Sequence, residues 1–255
     1  MGSTSPAMGG NGEHRSEIVT VLRGLLAEND HQAAHNRRHF REHGVLAINL
    51  MSSPGAGKTS LIEATIEHLR GKARLAVIEG DLETENDAMR IRAHGVSAVQ
   101  ITTGSACHLD AHMIHNALHR LDLTDIDILF IENVGNLVCP ASFDLGQHHN
   151  VVLLSVTEGD DKPAKYPVMF RGADLMLLTK TDLLPYLDDF DPKQAENHLR
   201  ALANMAPVIS LSTRVDNGQV DNGGSSGMDA WLDWLLAARE KAGAGTLIDT
   251  AESRQ

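Results

Sequence analysis

A glycine-rich run, SSPGAGKT at residues 52–59, follows directly on the apolar stretch VLAINLM at residues 45–51. A strand that turns through such a loop into a helix is the setting of a phosphate-binding P-loop. Gly55 and Gly57 let backbone N–H groups point inward, where they and the start of the helix form an anion-binding nest. Ser52 stands where the usual pattern has glycine, but the GxGKT end is intact. The sequence therefore predicts a phosphate site here rather than a chance glycine turn.

The loop and the first turn of its helix supply the predicted phosphate contacts. Lys58 is expected to reach the β- and γ-phosphates of a nucleotide, and the Thr59 hydroxyl to hold Mg²⁺. The residues predicted to contact the nucleotide in this region are Ser53, Gly55, Ala56, Gly57, Lys58, Thr59 and Ser60. Lys58 is also the first of the predicted catalytic residues.

Short apolar segments alternate with amphipathic helices from residue 45 onward. The predicted strands are Val45–Met51, Arg74–Ile78, Ala98–Ile101, Ile128–Ile131, Val151–Val156, Leu175–Leu178 and Val208–Leu211. Several are unbroken runs of Val, Ile and Leu, as expected for parallel strands that helices bury on both faces. The alternation predicts an α/β fold, a doubly wound and mostly parallel sheet flanked by helices, with its chemistry at the carboxyl ends of the strands.

The chain is expected to contain one main domain with additions at both ends. Residues 1–15 resemble a disordered tail or a cloning remnant, and residues 16–44 are predicted to form a helical arm. The nucleotide-binding domain is predicted to span residues 45–241, and residues 242–255 to form a flexible C-terminal tail.

Composition limits the partners and the compartment. The formal net charge of −12 argues against nucleic acid as the main partner, since that would need a basic face. No apolar stretch approaches the roughly 20 residues of a membrane-spanning helix, and the first fifteen residues lack the apolar core of a signal peptide. The cytoplasm is therefore the expected location, where the two cysteines would be free thiols, metal ligands or catalytic groups.

The sequence TKTD, residues 179–182, follows the predicted sixth strand and resembles the NKxD element of GTPases, with Thr179 in place of Asn. The Asp182 carboxylate can accept from the N1–H and the exocyclic amine of guanine, which adenine lacks at that edge. An acceptor left unpaired would penalise ATP. Lys180 would lie along the base. The alternative is a strand that ends in a solvated Lys/Asp turn, and the position in the fold favours the guanine site.

Asp81 and Glu132 are expected just beyond the ends of the second and fourth strands. The spacing of Glu132 and Gly135 resembles the DxxG element that senses a γ-phosphate, with Gly135 donating its backbone N–H. We expect Asp81 and Glu132 to bind Mg²⁺, directly or through water, or to position the attacking water. With Lys58 they complete the predicted catalytic set. An acidic residue at a strand end can also be a simple cap, but the neighbouring P-loop favours the functional role.

Cys107 and His108 are adjacent, and Cys139 follows 32 residues after Cys107. We expect Cys107 and His108 to open a helix and Cys139 to lie in the loop after the fourth strand. Thiolates and imidazole are good ligands for Zn²⁺ or Ni²⁺. Three ligands leave a tetrahedral site incomplete, and a second copy of the chain could complete it across a two-fold axis. The alternative is a pair of inert buried cysteines.

These residues, together with several longer stretches, resemble the HypB family of SIMIBI-class P-loop GTPases, which deliver nickel during NiFe-hydrogenase maturation. The likeness covers roughly residues 16–241 and is carried by SSPGAGKTSL, VIEGDLETENDAMRIRAHG, TTGSACHLDAHMI, ILFIENVGNLVCPASFDLG, LLSVTEGDDKPAKYPVMF and TKTDLLPYL. It implies a GTPase that forms a homodimer when GTP binds and holds metal at the interface through Cys107, His108 and Cys139. It also implies a HypA-type nickel metallochaperone and the hydrogenase large-subunit precursor as partners.

The sequence departs from this family in three ways. It has neither the N-terminal CxxCGC nickel motif nor the long histidine-rich tract that many members carry. Its guanine element begins with Thr179. The segment that usually makes the last guanine contact appears as SLST, residues 210–213, so that contact stays unassigned.

Histidine is unusually common, with 14 residues, and eight of them form two helical stripes. The first stripe is His31, His35, His39 and His43, and the second is His108, His112, His115 and His119. Residues four apart on a helix are neighbours, so such pairs could chelate a transition metal. One or both stripes are predicted to provide auxiliary nickel sites, with a solvated polar face as an equally weighted alternative.

We therefore expect a GTP-hydrolysing metallochaperone that uses Mg²⁺, binds GTP and GDP, and carries Ni²⁺ or Zn²⁺. Hydrolysis would reshape the metal site through the segment between Glu132 and Cys139. The alternatives are a GTPase chaperone for urease or a cobalamin enzyme, a small-molecule P-loop kinase, and a metal-storage protein. A urease-type chaperone would carry a Cys–Pro–His motif, which the sequence lacks, and no arginine-rich lid of a kinase is apparent.

Overall fold

The computed structural model describes residues 11–81, 86–104, 106–214 and 227–252, with side chains between positions 24 and 243. The helices are α1 (Asn11–His43), α2 (Lys58–Leu69), α3 (Asn86–Ala93), α4 (Ala111–Leu118), α5 (Lys162–Lys165), α6 (Pro167–Arg171), α7 (Pro192–Ala201) and α8 (Met228–Glu252). The strands are β1 (Leu46–Met51), β2 (Leu75–Asp81), β3 (Ser97–Thr102), β4 (Ile128–Glu132), β5 (His149–Ser155), β6 (Leu175–Thr179) and β7 (Val208–Ser210). The first ten residues of the predicted N-terminal tail lie outside the described part.

All seven strands form one parallel sheet in the order β3-β2-β4-β1-β5-β6-β7, which confirms the predicted doubly wound α/β fold. Each predicted strand is present. The second and fourth strands run farther than predicted, so Asp81 and Glu132 are the last residues of β2 and β4 rather than the first residues beyond them. Their positions are therefore fixed by the register of the sheet.

The order of the strands sets the place of the chemistry. β1 lies at the centre between β4 and β5, while β2, the next strand along the chain, lies on the far side of β4. The chain thus builds outward from β1 in both directions. In open α/β sheets the crevice beyond the carboxyl ends of the strands at such a reversal is the usual ligand site.

Helices bury both faces of the sheet because alternate residues of a strand point to opposite sides. On one face, Ile48 and its neighbours pack against α2 and α8, including the fully buried Trp231. On the other face, Ala47 packs in a cluster with Phe40 of α1 and Ile114 of α4. Within the described residues, no helix combines the length and apolar character that crossing a membrane requires.

The C-terminal part of α1 is fastened to the sheet domain by buried asparagines. Asn36 Nδ2 donates to the carbonyl oxygens of Ala111 and Leu145 at 2.8 and 3.1 Å. Asn29 Oδ1 accepts from the Ala111 N–H at 2.9 Å, and Asn29 Nδ2 donates to the Asp144 carbonyl at 2.8 Å. Buried amides with both ends satisfied favour one helix position over others. The side chains of α1 are therefore held against the start of α4.

Candidate functional site

The loop after β1 has a backbone shaped for an anion. Gly55 and Gly57 have φ angles of 76° and 99°, which residues with a Cβ rarely adopt. Helix α2 begins at Lys58, directly after the loop. Its unpaired N–H groups and the positive end of its dipole favour a bound phosphate at that position.

Ser52, the residue that departs from the usual glycine, is fully buried and contacts the lysine of the loop. The Lys58 ammonium donates a hydrogen bond of 3.0 Å to Ser52 Oγ, and that hydroxyl donates one of 2.7 Å to the Ser53 carbonyl. Lys58 is only 8% exposed, and burial lowers its pKa although the charge of Glu132 opposes the shift. The serine therefore helps to hold the ammonium at the base of the loop.

Glu132, at the end of β4, is bound to the first turn of α2. Thr59 Oγ1 donates to Glu132 Oε1 at 2.8 Å, while Glu132 Oε2 has no hydrogen-bond partner in the described part of the chain. Burial raises the pKa of Glu132 to about 7, against the opposing effects of the Lys58 charge and the Thr59 hydrogen bond. The predicted site thus contains a buried carboxyl group with one oxygen left for a further ligand.

Sequence reasoning missed Glu79, a second buried acid in the same cleft. Glu79 is 2% exposed and pairs with Glu132 in the register of β2 and β4. Burial, followed by the charge of Glu132, raises the pKa of Glu79 to about 8. A signal was present in the sequence, because an acidic residue inside an apolar strand, two positions before Asp81, shares its face of the sheet.

The residues predicted to hold Mg²⁺, namely Thr59, Asp81 and Glu132, line one cleft of about 470 Å³ with Glu79 and Asp87. Hydroxyl and carboxylate oxygens are the ligands that hard cations prefer. The Oε2 atoms of Glu79 and Glu132 lack partners among the described residues and would accept such an ion. The donor set therefore fits Mg²⁺.

Gly135 lies in the segment of residues 132–139, here called the switch loop, and brings it against the P-loop. A Cβ built on Gly135 would lie 2.9 Å from Pro54 Cα, closer than real side chains approach a backbone atom. Gly135, Asn133 and Lys58 line the same cleft. A glycine is needed here because the two loop backbones are in contact. Movement of one loop would therefore displace the other.

A smaller pocket of about 280 Å³ adjoins the cleft and contains the predicted guanine residues Lys180 and Asp182. The two spaces share Gly57, Ser60 and Lys180 as walls. Thr179 Oγ1 donates to the Ala56 carbonyl at 2.7 Å, which joins the end of β6 to the P-loop. Lys180 follows with a left-handed φ of 59°. The pocket therefore extends from the phosphate loop as a base site should.

Two further contacts at this site were not predicted. In the unassigned segment 210–213, Ser212 Oγ donates to Asp182 Oδ1 at 2.7 Å and so orients that carboxylate. Ser53 Oγ donates to Glu158, whose Oε1 accepts from the Ser155 N–H at 3.2 Å. The sequence signal for Glu158 is its place shortly after the fifth strand, since the second and fourth strands also have acidic residues at their carboxyl ends.

The structure brings Cys107, His108 and Cys139 together. The two sulfur atoms lie 2.7 Å apart and are free thiols, and Cys107 Sγ lies 3.7 Å from His108 Nδ1. One ligand atom from each residue falls within 4.8 Å of the others, and each side chain is half-buried. Soft thiolate and borderline imidazole ligands in such a group suit Zn²⁺ or Ni²⁺.

The placement of Cys107 and His108 on a helix was wrong. Helix α4 begins at Ala111, and Asp110 caps it by accepting from the Met113 N–H at 2.8 Å. Cys107 and His108 lie in the turn before that cap, since the Asp side chain takes the helix-starting position. The His108 ring stacks on Phe143 with centroids 4.0 Å apart, and burial lowers its pKa, which favours the neutral, metal-binding ring.

Two asparagines connect the switch loop to the cysteine turn. Asn133 is 1% exposed, and its Oδ1 accepts from the N–H groups of Leu109 and Val134 at 3.2 and 3.0 Å. Asn136 Nδ2 donates to the Cys107 carbonyl at 3.4 Å. The residues after Glu132 therefore touch both the nucleotide cleft and the backbone that carries the thiol and imidazole ligands.

Comparison with known proteins identifies the family to which this geometry belongs. The model for the CobW/HypB/UreG nucleotide-binding domain matches residues 46–210. The hydrogenase maturation factor HypB of Azotobacter vinelandii is 53% identical over 228 residues, covering 89% of this chain and 72% of that protein. The chain belongs to the HypB family of hydrogenase maturation factors. This confirms the resemblance seen in the sequence.

Other HypB proteins agree in sequence and in structure. HypB of Escherichia coli (strain K12) is 49% identical over 228 residues, covering 89% of this chain and 75% of that protein. A solved structure of HypB from Helicobacter pylori, in complex with nickel, superimposes with a TM-score of 0.76 at 40% identity. The superposition covers 84% of this chain and 96% of that one. The nucleotide-binding fold of this chain is therefore that of the HypB family.

Proposed function

We propose that this HypB-family chain is a GTP-hydrolysing metallochaperone that carries nickel at Cys107, His108 and Cys139 and releases it during NiFe-hydrogenase maturation. One observation carries the proposal. A single short segment, residues 132–139, starts in the nucleotide cleft with Glu132 and ends at the metal ligand Cys139. Family membership supplies the hydrogenase context, and the nickel complex of the Helicobacter pylori protein supports nickel as the cargo.

The nucleotide is proposed to be GTP. Lys58 and the loop amides would bind its phosphates, while Asp182, oriented by Ser212, would accept from the guanine edge. Bound Mg²⁺, held by Thr59, Asp81 and Glu132, would neutralise charge on the phosphates. As an alternative to binding Mg²⁺, Glu132 would position the attacking water.

The proposed nickel site is built to bind and to release. The two thiols and the imidazole are half-buried and do not lie on strands. Together they are one ligand short of a tetrahedral set. A second copy of the chain would complete the coordination, so the proposal includes a homodimer that forms with GTP. Zn²⁺ suits the same ligands and is the competing cargo.

The coupling is proposed to run through the switch loop. A nucleotide can bias metal release only if the metal site differs between the GTP and GDP states. Contact of Gly135 with the P-loop, and of Asn133 and Asn136 with residues 107–109, provides the physical connection. The proposed recipients are a HypA-type metallochaperone and the hydrogenase large-subunit precursor, in the cytoplasm.

Nickel titration of the nucleotide-free, GDP-bound and GTP-analogue-bound chain, with the mass in solution measured in parallel, tests this proposal. We expect nickel affinities of the GDP and GTP-analogue forms to differ by about 5- to 150-fold, the usual range of allosteric coupling. We also expect the mass to double in the analogue form. Equal affinities in the two states would remove the switch.

A variant pair tests the ligands. Cys139→Ser should weaken nickel binding by at least roughly 10- to 100-fold, the loss that even a group behind a ligand causes. Val138→Ser is the matched control, since Val138 is the neighbouring residue and 61% exposed. If Cys139→Ser left both the number of nickel ions bound and their affinities unchanged, the proposed site would be excluded.

A further inference from the structure

The two histidine stripes of the sequence meet across the contact between α1 and α4. The ring centroid of His115 lies 5.0 Å from that of His35 and 6.1 Å from that of His39. The His35 and His39 rings are 4.7 Å apart, as are those of His115 and His119. These four residues, here called the interhelical histidine cluster, bring four imidazoles from two helices into one patch.

Three other histidines of the stripes lie at the edge of the cluster or outside it. His43 stacks on His39 at 6.3 Å, at the edge of the cluster, and its Nδ1 contacts the His39 carbonyl at 2.8 Å. His112 Nε2 lies 3.8 Å from Glu28 Oε1. His108 stacks on Phe143 beside the thiols. The cluster is therefore distinct from the Cys107 site.

The nitrogen atoms of one pair in the cluster, His115 and His119, have a spacing that fits metal chelation. His115 Nε2 and His119 Nε2 lie 3.2 Å apart. Two nitrogen ligands at about 2.0–2.1 Å from a tetrahedral ion are separated by roughly 3.3 Å. The pair thus has the spacing of two ligands to one ion, on neighbouring turns of one helix face. Proton sharing between two neutral rings is the competing explanation for this distance.

A second observation is the presence of ring nitrogens without partners. His35 Nδ1 and His115 Nδ1 are buried and have no hydrogen-bond partner within the part of the chain that the structure describes. A buried polar atom without a partner costs free energy, which a bound ion would recover. The terminal torsion of a histidine side chain is broad, so the rings can turn toward a common point at low cost.

The charge state of the rings also suits a metal. Burial, and then the charges of neighbouring imidazoles, lowers the pKa of His115, and burial followed by the charge of His35 lowers the pKa of His39. Neutral imidazole is the form that binds transition metals. The environment therefore favours the neutral, metal-binding form of the His39 and His115 rings.

We propose that His35, His39, His115 and His119 form a second metal site, which takes a borderline divalent ion such as Ni²⁺ or Zn²⁺ on nitrogen ligands alone. The site is independent of the thiol site and goes beyond the proposed function. Bound metal would join α1 to α4 and so hold the helix that follows the Cys107–His108 turn.

The test uses the full chain with Cys107→Ser and Cys139→Ser, titrated with Ni²⁺ and with Co²⁺ alone. We expect one equivalent of metal to bind, with a Co²⁺ absorption spectrum of nitrogen ligands and no thiolate charge-transfer band. Adding His35→Gln and His115→Gln should weaken that binding by at least roughly 10- to 100-fold. Because the thiols are already removed, failure here is separate from failure of the proposed function.

Controls keep the proposal open to refutation. His68→Gln with His198→Gln removes the same number of imidazoles from α2 and α7 and should leave the affinity unchanged. His119→Gln alone changes an exposed residue, so it tests the site without disturbing the packing, and metal-free thermal unfolding checks the fold of every variant. No binding in the thiol-free chain, or equal affinity with and without His35, His115 and His119, would overturn the second site.

Discussion

The nucleotide cleft and the Cys/His group are neighbours, yet they are built in different ways. Two acids of the cleft are almost fully buried in the sheet, with Glu79 2% and Glu132 5% exposed. Cys107, His108 and Cys139 are half-buried and lie on turns outside the sheet. Groups fixed by sheet register cannot move without breaking the ladder, whereas turn residues can move locally. The cleft is thus suited to sensing, and the Cys/His group to responding.

The chemistry of the two regions differs in the same sense. The cleft presents carboxylate and hydroxyl oxygens, which suit a hard ion and a phosphate. The Cys/His group presents sulfur and imidazole, which suit Ni²⁺ or Zn²⁺. A hard ion such as Mg²⁺ and a softer ion such as Ni²⁺ could therefore bind a few residues apart with little competition for ligands. The cleft and the Cys/His group are connected by Asn133, Asn136 and the backbone between Glu132 and Cys139.

The largest effect is expected from Lys58→Ala, which removes the buried ammonium from the P-loop. GTP hydrolysis should fall on the order of 100- to 1000-fold, the usual loss for one preorganised donor to transition-state charge. Nickel affinity of the nucleotide-free chain should not change, because Lys58 lies in the cleft alone. Phosphate release and nickel titration measure the two, with the exposed Lys72→Ala as control. A parallel loss of nickel binding would show that the regions are not separate.

A smaller effect is expected from Asn133→Ala, which breaks the connection between them. Loss of this buried amide should lower the free energy of unfolding by about 1–3 kcal/mol, since the Leu109 N–H loses its acceptor. It should also reduce the difference in nickel affinity between GDP and GTP-analogue forms.

Asn204→Ala is the matched control, because Asn204 is a buried amide that donates to the carbonyls of Phe170, Arg171 and Ala173, at the end of α6 and in the turn that leads to β6. It should cost similar stability in denaturant unfolding while the nickel difference persists. If both variants change the nickel difference alike, the coupling is general loosening rather than the Asn133 connection.

The smallest effect is expected from Glu79→Gln and depends on pH. The pKa of Glu79 is raised to about 8 in the folded chain, against about 4.3 in an unfolded one. Between roughly pH 5 and 8 the folded state keeps a proton that the unfolded state has lost, so the free energy of unfolding falls as pH rises. Glutamine does not titrate, so the variant should gain stability relative to the wild type as the pH rises toward 8.

Denaturant unfolding at pH 5.5 and 8, without metal or nucleotide, measures the Glu79→Gln difference. The gain should shrink at the lower pH, because keeping the folded carboxyl protonated costs less free energy when the pH is nearer to the unfolded pKa. Glu240→Gln, at an exposed position of α8, should show no such trend. A gain that is equal at both pH values would mean that the Glu79 carboxylate does not carry the pH dependence of the cleft.

Local sequence was enough for most of the fold and of the cleft. Each strand carries its own apolar pattern, and the P-loop and TKTD elements are contiguous, so their chemistry is written in neighbouring residues. Glu79 was missed because its signal, one acid within an apolar strand, has meaning only once β2 lies beside β4. Ser212 was left unassigned because it reaches Asp182 across 30 positions of sequence.

The sequence by itself determined the parallel α/β sheet, the phosphate loop and the residues proposed to bind metal. Periodicity, contiguous motifs and residue types are all local properties of the sequence. Only the tertiary structure decided which side chains face one another. It placed Cys107 beside Cys139 and Glu79 beside Glu132. It also packed His35 against His115, whereas His112 lies near Glu28. The reason is physical: contacts between distant segments depend on how helices pack on the sheet, and no local pattern contains that information.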